Sequence, residues 1–281
     1  VIIATSIDEV RRWRHADAGS VGFVPTMGFL HEGHLSLVRR ARAENDRVAA
    51  SIFVNPTQFG PREDLASYPR DLQRDERLLA DATCDLVLVP DRAAIYPPGF
   101  ETFVEPGAVA APLEGAQRPG HFRGVTTVVL KLLHIFEPTR AYFGEKDAQQ
   151  LAVIRRMVRD LDVPVEVVGC PTVREPDGLA LSSRNTYLGP EERQAATVLH
   201  RALCAARDLW RSGERDADAL RRAMSDVLAA EPLARVDYVS AADPVSLREV
   251  DRATGPVLLS MAVFVGRARL IDNLRLEPAA R

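Results

Sequence analysis

Residues 21–41 read VGFVPTMGFLHEGHLSLVRRA. An apolar run at 21–24 comes first, and Leu35, Leu37, Val38 and Ala41 follow at helical spacing. That change of period marks a buried strand turning into an amphipathic helix. At the junction stand His31 and His34, with Gly33 between them. The same alternation recurs outward from this point. Apolar, β-branched runs at 48–54, 86–89, 141–143 and 163–168 suit buried strands, and helical patterns lie at 34–44, 72–82, 125–136 and 148–159. In the third of these the stripe is Val125, Val129, Leu132, Leu133 and Phe136. Strands that are apolar throughout and separated by helices belong to a parallel sheet covered on both faces. The spacing therefore predicts an α/β domain of Rossmann-like type, whose ligands sit at the carboxyl ends of the strands. The Gly- and Pro-rich stretch at 96–120 is expected to be a flap over a site rather than a regular element.

The pattern changes after Gly169. Helical runs at 190–212 and 216–230 precede strand-like runs at 236–240 and 257–265, the order of a smaller α+β domain. Two domains are expected, 1–172 and 173–281, with a hinge near 171–173.

The whole chain sets limits on partners. At 281 residues it can bury a large core, and its 46% hydrophobic and 27% charged residues are ordinary for a globular protein. A net charge of −3 gives no general attraction to nucleic acid or to an anionic membrane, so an anion site must be a local basic cluster. No apolar run reaches membrane-spanning length, and the first residues lack a basic-then-apolar leader pattern. The chain opens on Val1 and not on methionine, which is compatible with a few residues having preceded it. Cys84, Cys170 and Cys204 are far apart and form no CxxC pair, so a reducing, cytoplasmic compartment is expected.

Five local clusters carry chemistry. A helix amino terminus offers unpaired N–H groups and the positive end of the helix dipole, both suited to phosphate. His31-Glu32-Gly33-His34 at such a terminus reads as a clamp for phosphate and for transition-state charge, with Gly33 admitting a close ligand. Two other readings stand beside it: a pair of capping or surface histidines, or a zinc site with His121 as third ligand. In YFGEKDAQQ (142–150) the turn after a strand places Lys146 at the ligand edge, with Gln150 about one turn on; Asp147 can cap the helix. DGLALSSRN (177–185) is a turn followed by a donor-rich loop in which Arg184 offers a planar fork, or else an ordinary polar loop. Asn55 and Gln58 in SIFVNPTQFG are neutral amides able to orient a small polar ligand, and RPGHFRGV (118–125) adds basic side chains before an apolar helix. A parallel sheet would bring four of the five clusters to one edge.

Taken together, these stretches resemble the pantoate–β-alanine ligases. The similarity runs through PTMGFLHEGH (25–34), SIFVNPTQFG (51–60), YPRDLQRD (68–75), HFRGVTTVVLKLL (121–133), FGEKDAQQL (143–151), LALSSRNTYL (179–188) and RLIDN (269–273). The wider group is the HIGH-motif nucleotidyltransferases: residues 31–34 fill the HIGH position and Leu181-Ser182-Ser183-Arg184 resembles a shortened KMSKS lid. That lid lacks lysine, which departs from the tRNA synthetases, and no tRNA-binding domain is visible. The resemblance implies an ATP-dependent ligase that joins pantoate to β-alanine through pantoyl adenylate, in the biosynthesis of pantothenate and coenzyme A. It implies catalytic roles for His31, His34, Lys146 and Arg184. It places Met27, Gly28, Gly33, Gly144, Glu145, Ser182 and Ser183 on ATP, with Asp147 on the ribose and Val173 and Leu181 on the adenosine side. Gln58, Gln150 and Asn55 would hold pantoate, with Met27, Val125 and Val129 against its methyl groups; Gln58 would also meet β-alanine. Magnesium would be held by phosphate oxygens and water, with Asp75 as a single protein contact. A homodimer is expected, as is typical of the family. Another nucleotidyltransferase on the same scaffold, or a non-catalytic nucleotide- or metal-binding protein, remains as an alternative.

Overall fold

The computed structural model describes residues 1–61 and 63–278. The chain divides into two compact units, Val1–Glu145 with Val153–Pro171, and Lys146–Ala152 with Thr172–Arg281.

The first unit runs β1 (Ile2–Ala4), α1 (Ile7–His15), β2 (Val21–Thr26), α2 (Glu32–Glu44), β3 (Arg47–Ile52), α3 (Leu72–Asp81) and β4 (Leu86–Leu88). The single turns α4 (Arg92–Ile95) and α5 (Glu114–Gln117) follow, then α6 (His121–Phe136), β5 (Arg140–Gly144), α7 (Ala148–Asp160) and β6 (Glu166–Cys170). The first turn of α7 groups with the second unit and its remainder with the first. All six strands are parallel, in the order β1-β4-β3-β2-β5-β6. From β2 the chain winds outward through β3 and β4 on one side, and β5 and β6 continue on the other. The order thus reverses between β2 and β5, and in a doubly wound sheet such a switch point opens a crevice beyond the carboxyl ends.

Burial explains the apolar strands. Val21, Phe23 and Val24 of β2 are fully buried, as are Ala49 and Ala50 of β3 and Val87 of β4. Leu35, Leu37, Val38 and Ala41 are the buried residues of α2 and pack against Val24, Val48 and Ala50. On the other face Phe23 stacks on Phe136 of α6, with ring centroids 4.2 Å apart. Each large apolar side chain buried in this way stabilises the fold by roughly 1.5–3 kcal/mol.

Several elements differ from expectation. β1 and α1 escape the pattern because Ile2 and Ile3 are exposed at the sheet edge and Val10 is the buried residue of α1. β6 begins at Glu166, later than 163, because its ladder starts opposite Arg140. Helix α6 begins four residues early, at His121. Residues 96–120 hold little regular structure and are fastened to α6. Thr126 Oγ1 donates to the Val104 carbonyl at 2.8 Å, the Val104 N–H donates to Thr127 Oγ1 at 3.0 Å, and Arg123 lies 3.8 Å over the Phe103 ring.

The second unit contains α8 (Pro190–Ala195), α9 (Val198–Arg211), α10 (Ala217–Ala229), β7 (Ala234–Ala242), β8 (Val257–Val265) and β9 (Ala268–Leu276). The strands form an antiparallel sheet, β7-β8-β9. Leu199 and Leu203 of α9 and Leu220 and Met224 of α10 share one core with Leu259, Met261 and Val263. The single helical run expected over 190–212 is two helices, broken at 196–197. β9 was not expected, because the inward row Leu270, Asp272, Leu274, Leu276 carries a carboxylate that interrupts the apolar alternation. Among the described residues no helix is long and apolar enough to cross a membrane.

Candidate active site

The turn from β2 into α2 is built by residues distant in sequence. Gly28 (φ +79°) and Phe29 (φ +50°) are both left-handed, and a Cβ on Gly28 would stand 2.9 Å from Ile52 Cγ2. Thr26 Oγ1 donates to the Ser51 carbonyl at 2.7 Å and accepts the Gly28 N–H at 3.1 Å. The two oxygens of Asp75, on α3, accept the N–H groups of Phe29 and Leu30 at 2.6 and 2.7 Å. Burial raises the Asp75 carboxyl pKa, and those two backbone bonds oppose the rise. Asp75 is 1% exposed. Both oxygens are engaged in shaping the turn, which gives Asp75 a structural task beside its expected place as a magnesium contact.

That turn delivers the histidines to the amino end of α2. Nδ1 of His31 accepts the Gly33 N–H at 3.1 Å, and Nδ1 of His34 accepts the His31 N–H at 3.3 Å. The rings lie 4.0 Å apart at 37°. Both Nδ1 atoms act as acceptors, so each neutral ring carries its proton on Nε2. Capping uses Nδ1, so it does not compete with a clamp reading that would use Nε2. The positive end of the helix dipole adds to two donors of this kind.

Beside the same sheet edge the amides form a second cluster. Asn55 donates through Nδ2 to Gln58 Oε1 at 3.0 Å and to the Gly124 carbonyl at 3.1 Å. Its Oδ1 accepts from Thr57 Oγ1 and from the Tyr96 hydroxyl, each at 2.9 Å. At 1% exposure Asn55 has its amide engaged within the protein and supports Gln58, a task beside its expected contact to pantoate. Gln58 Nε2 lies 3.0 Å from Met27 Sδ. Gly124 permits this assembly: a Cβ there would lie 2.4 Å from the Thr57 carbonyl oxygen. Val125 and Val129 follow on the buried stripe of α6.

His121 holds the amide cluster from below. Its Nδ1–H donates to the Gln58 carbonyl at 2.9 Å, and its Nε2, 3.2 Å from Arg118 Nη1, accepts. With both nitrogens engaged, His121 is not placed as a third zinc ligand. Arg118 forms a bidentate pair with Glu63 at 2.9 and 2.6 Å. Burial, and then the Arg118 charge, push the His121 pKa down to about 4. Between pH 6.5 and 4 the unfolded chain therefore binds a proton that the folded chain refuses, and stability falls as pH is lowered through that window. The expected loss is about 3 kcal/mol. Urea-unfolding midpoints from pH 7 to 4.5 would show it, and His121→Asn should flatten the slope; equal slopes in both proteins would contradict this assignment.

The second unit gathers the remaining candidates. Residues 173–181 form a small hairpin in which the Leu181 N–H donates to the Val173 carbonyl at 3.0 Å, Arg174 bridges Ala180, and Gly178 turns at φ +95°. Ser182 then caps a 3-10 turn, Ser183–Tyr187, its Oγ accepting the Arg184 N–H at 3.3 Å. Lys146 stands in a 3-10 turn, Glu145–Asp147, with Nζ 3.7 Å from Asp147 Oδ1. Its carbonyl accepts from Asn273 of β9 at 2.8 Å. Asn273 and Arg174 were not assigned roles from sequence, although RLIDN contains the first of them.

The fold is a doubly wound parallel sheet that carries His-x-Gly-His at the carboxyl end of a central strand. A family model described as pantoate–β-alanine ligase matches residues 2–275. The chain is 64% identical over 276 residues to the pantothenate synthetase of Roseiflexus castenholzii, covering 98% of this chain and 99% of that one. It is 61% identical over 273 residues to that of Herpetosiphon aurantiacus, covering 97% and 99%. The crystal structure of pantothenate synthetase from Thermus thermophilus matches with a TM-score of 0.95 at 51% identity, over 99% of this chain and 100% of that one. The Francisella tularensis enzyme, complexed with beta-gamma ATP and β-alanine, matches at 0.81 and 37%, over 98% and 97%. This chain belongs to the pantoate–β-alanine ligase family and is a ligase.

Proposed function

We propose that the chain condenses pantoate with β-alanine to pantothenate, consuming ATP and releasing AMP and pyrophosphate. The observation that carries this reading is the amino end of α2, where two imidazoles accept backbone N–H groups through Nδ1, which for a neutral ring puts the proton on Nε2. In the first step a pantoate carboxylate oxygen attacks the α-phosphorus, and the bond to the bridging oxygen of pyrophosphate breaks. Charge grows on the equatorial oxygens and on the leaving group, where fixed donors act most strongly. His31 and His34 take the phosphates, and His34 can give its proton to the leaving oxygen. Lys146 and Arg184 neutralise the triphosphate, with Ser182 and Ser183 as further donors and Gly33 admitting a close approach of the ligand. Met27, Gly28, Gly144 and Glu145 line the nucleotide; Asp147 holds the ribose, and Val173 and Leu181 the adenosine side.

Gln58 and Gln150 orient the carboxylate without neutralising it, which leaves it nucleophilic; Met27, Val125 and Val129 accept the methyl groups. In the second step the β-alanine amine, near Gln58, attacks the acyl carbon, AMP leaves, and the nitrogen loses a proton. Magnesium would be held mainly by phosphate oxygens and water, and would neutralise triphosphate charge there. Residues 1–172 are the catalytic domain in this reading and 173–281 a lid. A cytoplasmic homodimer belongs to it as well, consistent with the free thiols Cys84, Cys170 and Cys204. Isotope exchange between pyrophosphate and ATP tests the reading. Exchange should require pantoate and magnesium but not β-alanine; exchange without pantoate, or none, would remove it.

A further inference from the structure

We propose that Asn273 is a positioning residue for Lys146, held in place by the ion pair of Arg174 with the buried Asp272. The inference rests on the reading above, in which Lys146 acts on the triphosphate. It begins from RLIDN, a stretch that reading left without a task. Within the second unit, successive residues of β9 point to opposite faces. Asp272, 3% exposed, receives Nη1 and Nη2 of Arg174 at 2.7 and 2.8 Å. It also accepts the Asn273 N–H at 2.8 Å. Arg174 donates further to the Gly178 carbonyl at 3.0 Å and to the Asn273 carbonyl at 3.2 Å. A bidentate pair with a buried acid and these extra bonds holds one geometry and resists distortion.

The carboxamide of Asn273 reaches the other way, its Nδ2 donating to the Lys146 carbonyl at 2.8 Å. A lysine stem is flexible, so what limits the reach of its ammonium is the direction in which Cα releases it. Fixing the carbonyl of residue 146 fixes that direction. The same ion pair fastens the 173–181 hairpin, which leads directly into Ser182–Arg184. Lys146 and the serine–arginine loop are therefore both anchored to adjacent residues of β9.

A double-mutant cycle tests this in pantoate-dependent pyrophosphate–ATP exchange, with ATP affinity read by calorimetry and stability by thermal unfolding. Asn273→Ala should lower kcat for exchange about 10-fold or more, as misplacement of a reacting group does. It should cost nothing further in a chain that already carries Lys146→Ala. Asn273→Asp, which keeps the shape without the donor, should reproduce the loss, and Asn273→Gln should recover part of it. Wild-type exchange in Asn273→Ala, or a loss that multiplies in full onto that of Lys146→Ala, would overturn the proposal. A wild-type protein without pantoate-dependent exchange would overturn the functional reading and this proposal with it, an outcome visible before any mutant is made.

Discussion

Lys146→Ala is expected to cut pyrophosphate–ATP exchange at least about 10²-fold, a barrier increase of roughly 2.7 kcal/mol, with the fold intact. The ammonium lies beside Asp147 at 3.7 Å, in a pair whose acid is exposed, and pairs of that kind contribute about 0–1 kcal/mol to stability. The unfolding midpoint should therefore hardly move. A loss of the same order is expected when His34 is replaced, and the choice of replacement separates two roles. His34→Asn can still accept the His31 N–H through Oδ1, so the helix cap survives, but no donor stands where Nε2–H was. Single-turnover formation of pantoyl adenylate is the measurement. Near-wild-type rates in either variant would contradict the assigned roles, and a collapse of stability in His34→Asn would show that capping was the greater part of its work.

Asp75→Ala should be the most damaging substitution outside the residues proposed to touch substrate. It strands the Phe29 and Leu30 N–H groups, which now donate to the carboxylate at 2.6 and 2.7 Å in a buried turn. At about 1–3 kcal/mol for each orphaned donor, with more for a charged partner, the loss is roughly 3–5 kcal/mol. Asp75→Asn should rescue little, because its NH2 would face one of the two N–H donors. The left-handed Gly28–Phe29 pair depends on these bonds, so activity should fall more steeply than the folded fraction once the histidines lose their seat. Urea unfolding and exchange assays on the same samples would show both effects. A stability change below about 1 kcal/mol would mean that the turn holds itself, and that Asp75 is available for another task.

These two predictions differ in how visible their residues were beforehand. His31, His34, Lys146 and Arg184 stood out because each belongs to a short motif at a recognisable junction. Asp75 stood out only within YPRDLQRD, and its expected partner was a metal, not the backbone of residues 29 and 30. His121 shows the same limit: it read as a third ligand of a zinc site, whereas both ring nitrogens are turned to Gln58 and Arg118. Asn55 and Gln58 read as equals, yet Asn55 supports Gln58. The single helical run over 190–212 broke in two. β9 hid behind Asp272, because burial of a paired carboxylate defeats any rule that counts it as polar.

By itself the sequence determined the parallel α/β architecture, the change to α+β after residue 170, the motif-borne clusters and the family. The architecture and the clusters follow from periodicity and from spacing over a few residues, which the covalent chain imposes directly. Only the tertiary structure decided which nitrogen of each histidine caps the helix, that Asp75 shapes a turn, that His121 braces Gln58, and that Asn273 meets Lys146. The last three are hydrogen bonds between residues brought together by sheet order and strand register. A donor and an acceptor far apart in sequence carry no mark of one another until folding removes the water that would otherwise satisfy both.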